Sequence, residues 1–357
     1  MTTYRVTILG FKYVNTRLSG QLQTEGVAHA NRCGVCILCA CSELRLLLLS
    51  LLSPPNPNWT SCEGGYVRDT KQNGLSASLE ASKEELESLS EIAHQIRRDI
   101  VAMIQSAKTG HLGPSLSCVE ILVSLYFDRM NHTPKDPGWS DRDRLVLCKG
   151  HAAPTLYATL AHAGYFDQEV LLSLRKTGSI LQGHPTRVTP GVDVSTGSLG
   201  QGLSVANGIA LAARLDGKSY RVFALTGDGE CDEGQIWEAA MTASHLGLSN
   251  VTVIIDRNGV QSDDATERIK KKEPLDRKWR SFGWQVLEID GHNFMQIHHS
   301  FDVAEWTTDR PTVIIARTVK GKGLSFLEGD ANSHNIAFSE EDLDWAMDEL
   351  GQPEPET

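Results

Sequence analysis

The 357-residue chain, 40% apolar and 22% charged, has the make-up of an ordinary globular protein and is long enough for one large domain or two small ones. A formal net charge of −11 argues against non-specific nucleic-acid binding. No apolar run reaches the roughly 18 residues of a membrane span, so neither nucleic acid nor membrane is an expected partner.

Charge and cysteine content divide the chain near residue 78. Residues 1–78 carry seven Lys/Arg against four Asp/Glu, a net of +3 that leaves −14 for the remainder. They also hold Cys33, Cys36, Cys39, Cys41 and Cys62, whereas Cys118, Cys148 and Cys231 follow. Three scattered cysteines suit the reduced, buried thiols of a cytoplasmic enzyme. Residues 6–10 read as a short strand. The Cys-x-x-Cys-x-x-Cys-x-Cys run at 33–41 comes near iron–sulfur spacing, but its last gap is wrong and no proline follows. The leucine-rich run at 45–52 lies too far from the N-terminus for a signal peptide, although the basic, acid-poor composition also suits a transit peptide. Ser53-Pro54-Pro55 is a breaker, and residues 64–78 read as linker. The expectation is an extension at 1–78, disordered or outside the fold, and a functional domain at 79–357. A misassigned translation start is an alternative origin for the extension.

From residue 79 the pattern turns helical. Ser82 and Glu85 have the spacing of a capping box, and Leu86, Leu89, Ile92, Ile96, Ile100 and Ile104 keep one apolar face through residue 105. Next comes Gly110-His111-Leu112-Gly113-Pro114, a His just past a helix and free to face a cleft. A second helix is expected over 117–130, then a strand at 144–148 followed by Lys149-Gly150-His151 and a helix over 153–164. Gly183-His184-Pro185 is a third Gly-His element. Ser195-Thr196-Gly197-Ser198-Leu199-Gly200-Gln201-Gly202 leads into an Ala-rich helix at 203–214.

The central unit spans residues 221–261. Two β-branched runs, 221–226 and 251–256, flank a segment with helical spacing, as a buried parallel βαβ unit requires. Gly227-Asp228-Gly229 follows the first strand and Asp256-Arg257-Asn258-Gly259 the second. Ligands of open α/β sheets bind outside the carboxyl ends of the strands. Glycines allow close approach to a phosphate, the following helix presents free N–H groups to an anion, and Asp and Asn offer hard oxygens suited to Mg²⁺. A diphosphate held through magnesium fits this pattern.

Beyond it, residues 266–280 read as an exposed loop and helix. Two more strands are expected at 284–290 and 312–318, with a helix at 293–305. His292, in the turn that caps this helix, reads as structural. The last strand leads into Val319-Lys320-Gly321-Lys322-Gly323 and on to Ser333-His334-Asn335, and a final helix covers 340–350. The fold class is α/β, a mostly parallel sheet flanked by helices.

Gly227-Asp228-Gly229 followed about thirty residues later by Asn258 resembles the thiamine-diphosphate motif, and Gly227 to Gly234 is similar to its transketolase version. The Gly-His elements at His111, His151 and His184, the Gly197–Gly202 loop and the Lys320 to His334 stretch extend the resemblance over residues 82–340 in order. Leu112 and Ser198 stand where the family has Pro, and Ser333 where it has Trp; the Ala-Pro expected after His334 is absent.

The resemblance implies thiamine diphosphate and Mg²⁺ as cofactors. Asp228, the Asn258 side chain and the Val260 carbonyl would bind the metal, and Gly229 and Lys320 the diphosphate. Gly197, Ser198 and Leu199 would contact the aminopyrimidine. His111 and His334 would handle protons at the donor carbonyl and C3 hydroxyl, His184 would hold the C1 hydroxyl, and His151 would line the cofactor, which His334 also touches. Glu233 would link the two cofactor sites across a dimer, or serve as a first-turn helix carboxylate. The pyrimidine-binding domain and the sugar-phosphate Arg/Ser cluster find no room after residue 340. A second chain, the C-terminal transketolase subunit, is therefore expected in a heterotetramer of two copies each, acting on sugar phosphates. Deoxyxylulose-phosphate synthase, a transketolase for an unusual sugar phosphate and a non-catalytic cofactor-binding subunit are the alternatives.

Overall fold

The computed structural model describes residues 82–351, apart from 263, 336 and 337, and two antiparallel hairpins ahead of them. The hairpins pair β1 (Val6–Ile8) with β2 (Phe11–Tyr13), and β3 (Asn58–Cys62) with β4 (Gly65–Asp69). The chain divides between Pro54 and Pro55, one hairpin falling in each unit. β4 runs through part of the expected linker at 64–78: Tyr66 and Val67 favour extended backbone and pair with Ser61 and Thr60. The cysteine run at 33–41 and the leucine run at 45–52 lie outside the described residues.

Helix α1 (Lys83–Ala107) starts on the expected box, with Ser82 Oγ accepting from the Glu85 N–H at 3.2 Å and the Glu85 carboxylate from the Ser82 N–H at 2.8 Å. Its apolar face is buried along Leu89, Ile96, Ile100 and Ile104. The helix expected at 117–130 forms over 119–129, and a short helix not expected from the sequence precedes it in the Gly-His loop. α2 (Leu112–Leu116) begins at His111, and α3 (Val119–Ser124) continues as a π-turn over Leu125–Arg129. The break falls at Ser117 and Cys118, where the Ser117 hydroxyl turns inward to donate to the Asp256 carboxylate at 2.6 Å.

The rest alternates strand and helix: β5 (Arg144–Leu147), α4 (Ala153–His162), α5 (Gly202–Leu215), β6 (Val222–Gly227), α6 (Gly234–His245) and β7 (Val251–Arg257). Then come α7 (Thr266–Ile269), α8 (Leu275–Ser281), β8 (Gln285–Asp290), α9 (Phe294–Trp306), β9 (Thr312–Arg317) and α10 (Glu340–Glu349). The five strands form one parallel sheet in the order β5-β6-β7-β9-β8. Helices cover both faces, which is why the inner strands read as continuous apolar runs rather than alternating ones. Ala224, Val253 and Val313 pack on one side with Leu203, Ile236 and Trp279; Phe223, Ile254 and Ile314 pack on the other with Leu156 and Phe301.

One expectation about this region needs correcting. Residues 266–280 are charged but not wholly exposed: Trp279, Leu275 and Lys272 are buried, Trp279 between Trp237 and Trp284 with ring centroids at 5.4 and 4.9 Å. Its large apolar area outweighs the surrounding charges. No helix among the described residues is long and apolar enough to cross a membrane.

Candidate active site

Parallel register lines up the carboxyl ends of the strands. Gly227 of β6 lies beside Asp256 of β7, and Asp256 beside Ala316 of β9. Each end continues into a loop carrying a polar group: Lys149 and His151 after β5, Asp228 after β6, Asn258 after β7 and Lys320 after β9.

Four histidines from four separate loops meet above this edge. The His111 ring lies 5.5 Å from His151, 5.9 Å from His184 and 5.4 Å from His334, and His151 lies 5.3 Å from His334. Burial and then the Arg175 charge push His111 down to about 4. Burial and then Lys320 push His334 down to about 4. His151 is held well below the usual imidazole value by burial and Lys149, and His184 below it by burial and Arg175. All four are neutral at pH 7, and a neutral imidazole both donates and accepts a proton. The sequence expectation brought these four together, and so does the structure.

Asp228 is buried, its Oδ1 accepting from the Gly229 N–H at 2.8 Å and its Oδ2 from the Gly259 N–H at 2.9 Å. The second bond ties the β6 loop to the β7 loop. Arg257 Nη1 and Thr266 Oγ1 also reach Oδ2, at 3.1 and 3.2 Å. Burial, followed by the neighbouring Asp256 charge, raises the Asp228 carboxyl above the usual range. The Asn258 side-chain oxygen accepts from the Val260 N–H at 3.0 Å. No three His, Cys, Asp or Glu side chains among the described residues are grouped to hold a metal. The expected ligands are instead one carboxylate, one amide oxygen and one backbone carbonyl. As hard oxygen donors on adjoining loops, they fit Mg²⁺ in kind.

Glycines keep the surrounding loops close. A Cβ on Gly229 would come 2.7 Å from Gln261, and one on Gly150 would come 2.7 Å from the Thr196 hydroxyl. Lys320 is buried, and its ammonium donates to the Gln261 carbonyl at 2.9 Å; burial, then Lys149, lowers it to about 8. Gly197 borders His184, while Ser198 and Leu199 are exposed. Glu233 is also exposed and stands at the start of α6 without a side-chain capping bond. It is not among the groups gathered at the histidines. His292 accepts from the Val319 N–H at 2.8 Å and bonds Glu120 at 3.0 Å, the structural position expected of it, while Asn293 caps α9. A cavity of about 1310 Å³ is lined by His292, Val319 and Lys322 and by none of the four histidines.

Three features escaped the sequence reading. Lys149 and Asp256 form a fully buried ion pair that also engages Ser117, Thr318 and the Pro114 carbonyl. Against burial, which would raise it, Lys149 and these hydrogen bonds hold the Asp256 carboxyl below its ordinary value. Glu230 accepts from the Gly200 N–H at 2.8 Å and the Gly227 N–H at 3.3 Å, joining two loops; burial pushes it up to about 7. Arg175 bonds Thr109, two residues before His111, and lies against Gly183, next to His184. The signal available was a charged residue at the end of an apolar strand, for Lys149 and Asp256 alike.

Close contact between loops gives a direct test. A Cβ on Gly113 would fall 2.3 Å from Ser333 Oγ and 2.8 Å from the Ser333 carbonyl. Gly113→Ala is expected to cost roughly 1–3 kcal/mol, read as a lower denaturation midpoint. An unchanged midpoint would show that the His111 and His334 loops are not in contact.

Residues 88–356 match the family described as transketolase, thiamine diphosphate binding domain. A 6-deoxy-6-sulfo-D-fructose transketolase subunit from Clostridium sp. (strain MSTE9) is 46% identical over 259 residues, 72% of this chain and 94% of that protein. One of the subunits of an apulose-4-phosphate transketolase from Phocaeicola vulgatus is 41% identical, over 75% of this chain and 95% of its own length. The solved transketolase of Campylobacter jejuni superposes with a TM-score of 0.70 at 33% identity, covering 75% of this chain and 44% of the other. The chain thus spans less than half of that solved transketolase.

Proposed function

The chain belongs to the transketolase family, and on that premise we propose that it is the cofactor-binding half of a two-chain transketolase. With a separate pyrimidine-binding chain, in an assembly of two copies of each, it moves a two-carbon ketol unit from a ketose phosphate to an aldose phosphate. Residues 79–357 form the working domain, and residues 1–78 lie outside it. The observation that carries the reading is the cluster of four neutral histidines above the Asp228–Asn258 edge. The near-complete match to relatives named as subunits supports the two-chain form. Free, buried Cys118, Cys148 and Cys231 suit a cytoplasmic enzyme.

Asp228, Asn258 and the Val260 carbonyl hold Mg²⁺, and Gly229 and Lys320 hold the diphosphate. When bound, thiamine diphosphate supplies the carbon nucleophile and electron sink for breaking the bond beside a ketose carbonyl. His111 and His334 would give a proton to the donor carbonyl oxygen and take one from the C3 hydroxyl, while His184 would hold the C1 hydroxyl. His151, the most deeply buried of the four, excludes water beside the cofactor. Gly197, Ser198 and Leu199 border the aminopyrimidine. Glu233 faces the neighbouring half of the assembly.

The test is ketol transfer with thiamine diphosphate and Mg²⁺, using this chain alone and mixed with the product of the neighbouring gene. Xylulose phosphate with ribose phosphate is one substrate pair; 6-deoxy-6-sulfo-fructose and apulose 4-phosphate, prompted by the relatives' names, are alternative donors. Activity confined to the mixture is expected. Full activity from this chain alone would overturn the half-site reading. Magnesium-dependent cofactor binding without transfer from any donor would favour a non-catalytic subunit.

A further inference from the structure

His111 and His184 sit on loops far apart in the chain, and a third residue touches both. Arg175 holds a left-handed backbone conformation, φ 59°, against the preference of a residue with a Cβ. Its N–H donates to the Leu181 carbonyl at 2.8 Å, closing the loop that leads to His184. Its Nη1 donates to the Thr109 hydroxyl at 3.2 Å, two residues before His111. The guanidinium lies against Gly183, where a Cβ would come within 3.0 Å of Nε and Nη2. The glycine of this Gly-His element lets the guanidinium pack this closely against the loop. No carboxylate pairs with Arg175 among the described residues.

We propose that Arg175 is a positioning residue that fixes the spacing of His111 and His184 by bridging their two loops. Only the chemical duty of the two histidines rests on the transketolase reading; the bridge stands without it. The guanidinium also acts through its charge. His111 faces Arg175 and the rings of His151, His184 and His334; His184 faces Arg175 and His111. After burial, the Arg175 cation is the next influence keeping both imidazoles neutral.

Three variants separate the two effects: Arg175→Met removes bridge and charge, Arg175→Lys keeps the charge without the planar fork, and Gly183→Ala crowds the guanidinium at its seat on the His184 loop. Histidine titration by ¹⁵N NMR on the full chain gives a readout independent of activity, with His132 as a remote reference. In Arg175→Met, His111 and His184 are expected to titrate at higher pH, and the acid limb of kcat/KM in the assembled enzyme to move the same way. In Arg175→Lys and Gly183→Ala, kcat is expected to fall about tenfold with KM little changed, since a misplaced catalytic group costs turnover before binding. Unshifted titrations in folded Arg175→Met, or wild-type kcat in Gly183→Ala, would overturn the proposal. No ketol transfer from the wild-type mixture would overturn the functional reading instead, and leave the titrations to judge Arg175.

Discussion

In the assembled enzyme, His111→Ala is expected to lower kcat/KM by about 10²–10⁴-fold, the usual worth of a general acid–base group. His111 is the most consequential of the four because its ring neighbours the other three, at 5.4–5.9 Å. Magnesium-dependent cofactor affinity is expected to stay within a few-fold, because Asp228 and Asn258 lie on other loops. A loss of affinity equal to the loss of rate would assign His111 to the cofactor rather than the substrate. The pH dependence carries its own sign. His111 and His334 fall from an ordinary 6.5 to about 4 in the folded chain. Between those values the unfolded chain binds protons that the folded chain does not, so stability drops as the pH falls through this window. Ketol transfer that relies on the free bases is expected to persist to the lower end of the window and fail below it.

Lys149→Met is expected to be the most damaging change to the fold itself. It leaves the Asp256 carboxylate buried without its cation, at a cost of roughly 3–5 kcal/mol. Urea unfolding measures this as a lower midpoint at constant slope. The double variant Lys149→Met/Asp256→Leu is expected to recover most of the loss, because removing both charges removes the stranded one. If the single variant were as stable as wild type, the pair would have to be solvated, contrary to its full burial.

The βαβ unit and its two loops were legible because both signals are local: apolar runs of strand length and turn residues directly after them. Three histidines were legible for the same reason, each sitting beside a glycine. The ion pair of Lys149 and Asp256 was not, since its partners are 107 residues apart and charges on separate strands leave no periodic trace. Arg175 was hidden because a left-handed Arg is set by the loop that closes on Leu181, not by any preference of arginine. The charged stretch containing Trp279 misled because composition averages over a segment, whereas burial is decided residue by residue. The short helix at Leu112–Leu116 was not legible, because Gly-His-Leu-Gly-Pro reads as a turn.

The neighbourhood of Asp256 also bears on the order in which the chain folds. Its partners Ser117, Lys149 and Thr318 lie 139, 107 and 62 residues away. Contacts across such separations carry a heavy loop-closure cost and are reached only when the elements bearing them have docked. The network at the floor of the site is thus expected to close late in folding, which low φ-values at Lys149 and Ser117 would show. Its loss is then expected to quicken unfolding more than it slows folding, and a nascent chain to become competent to hold a cofactor only as folding nears completion.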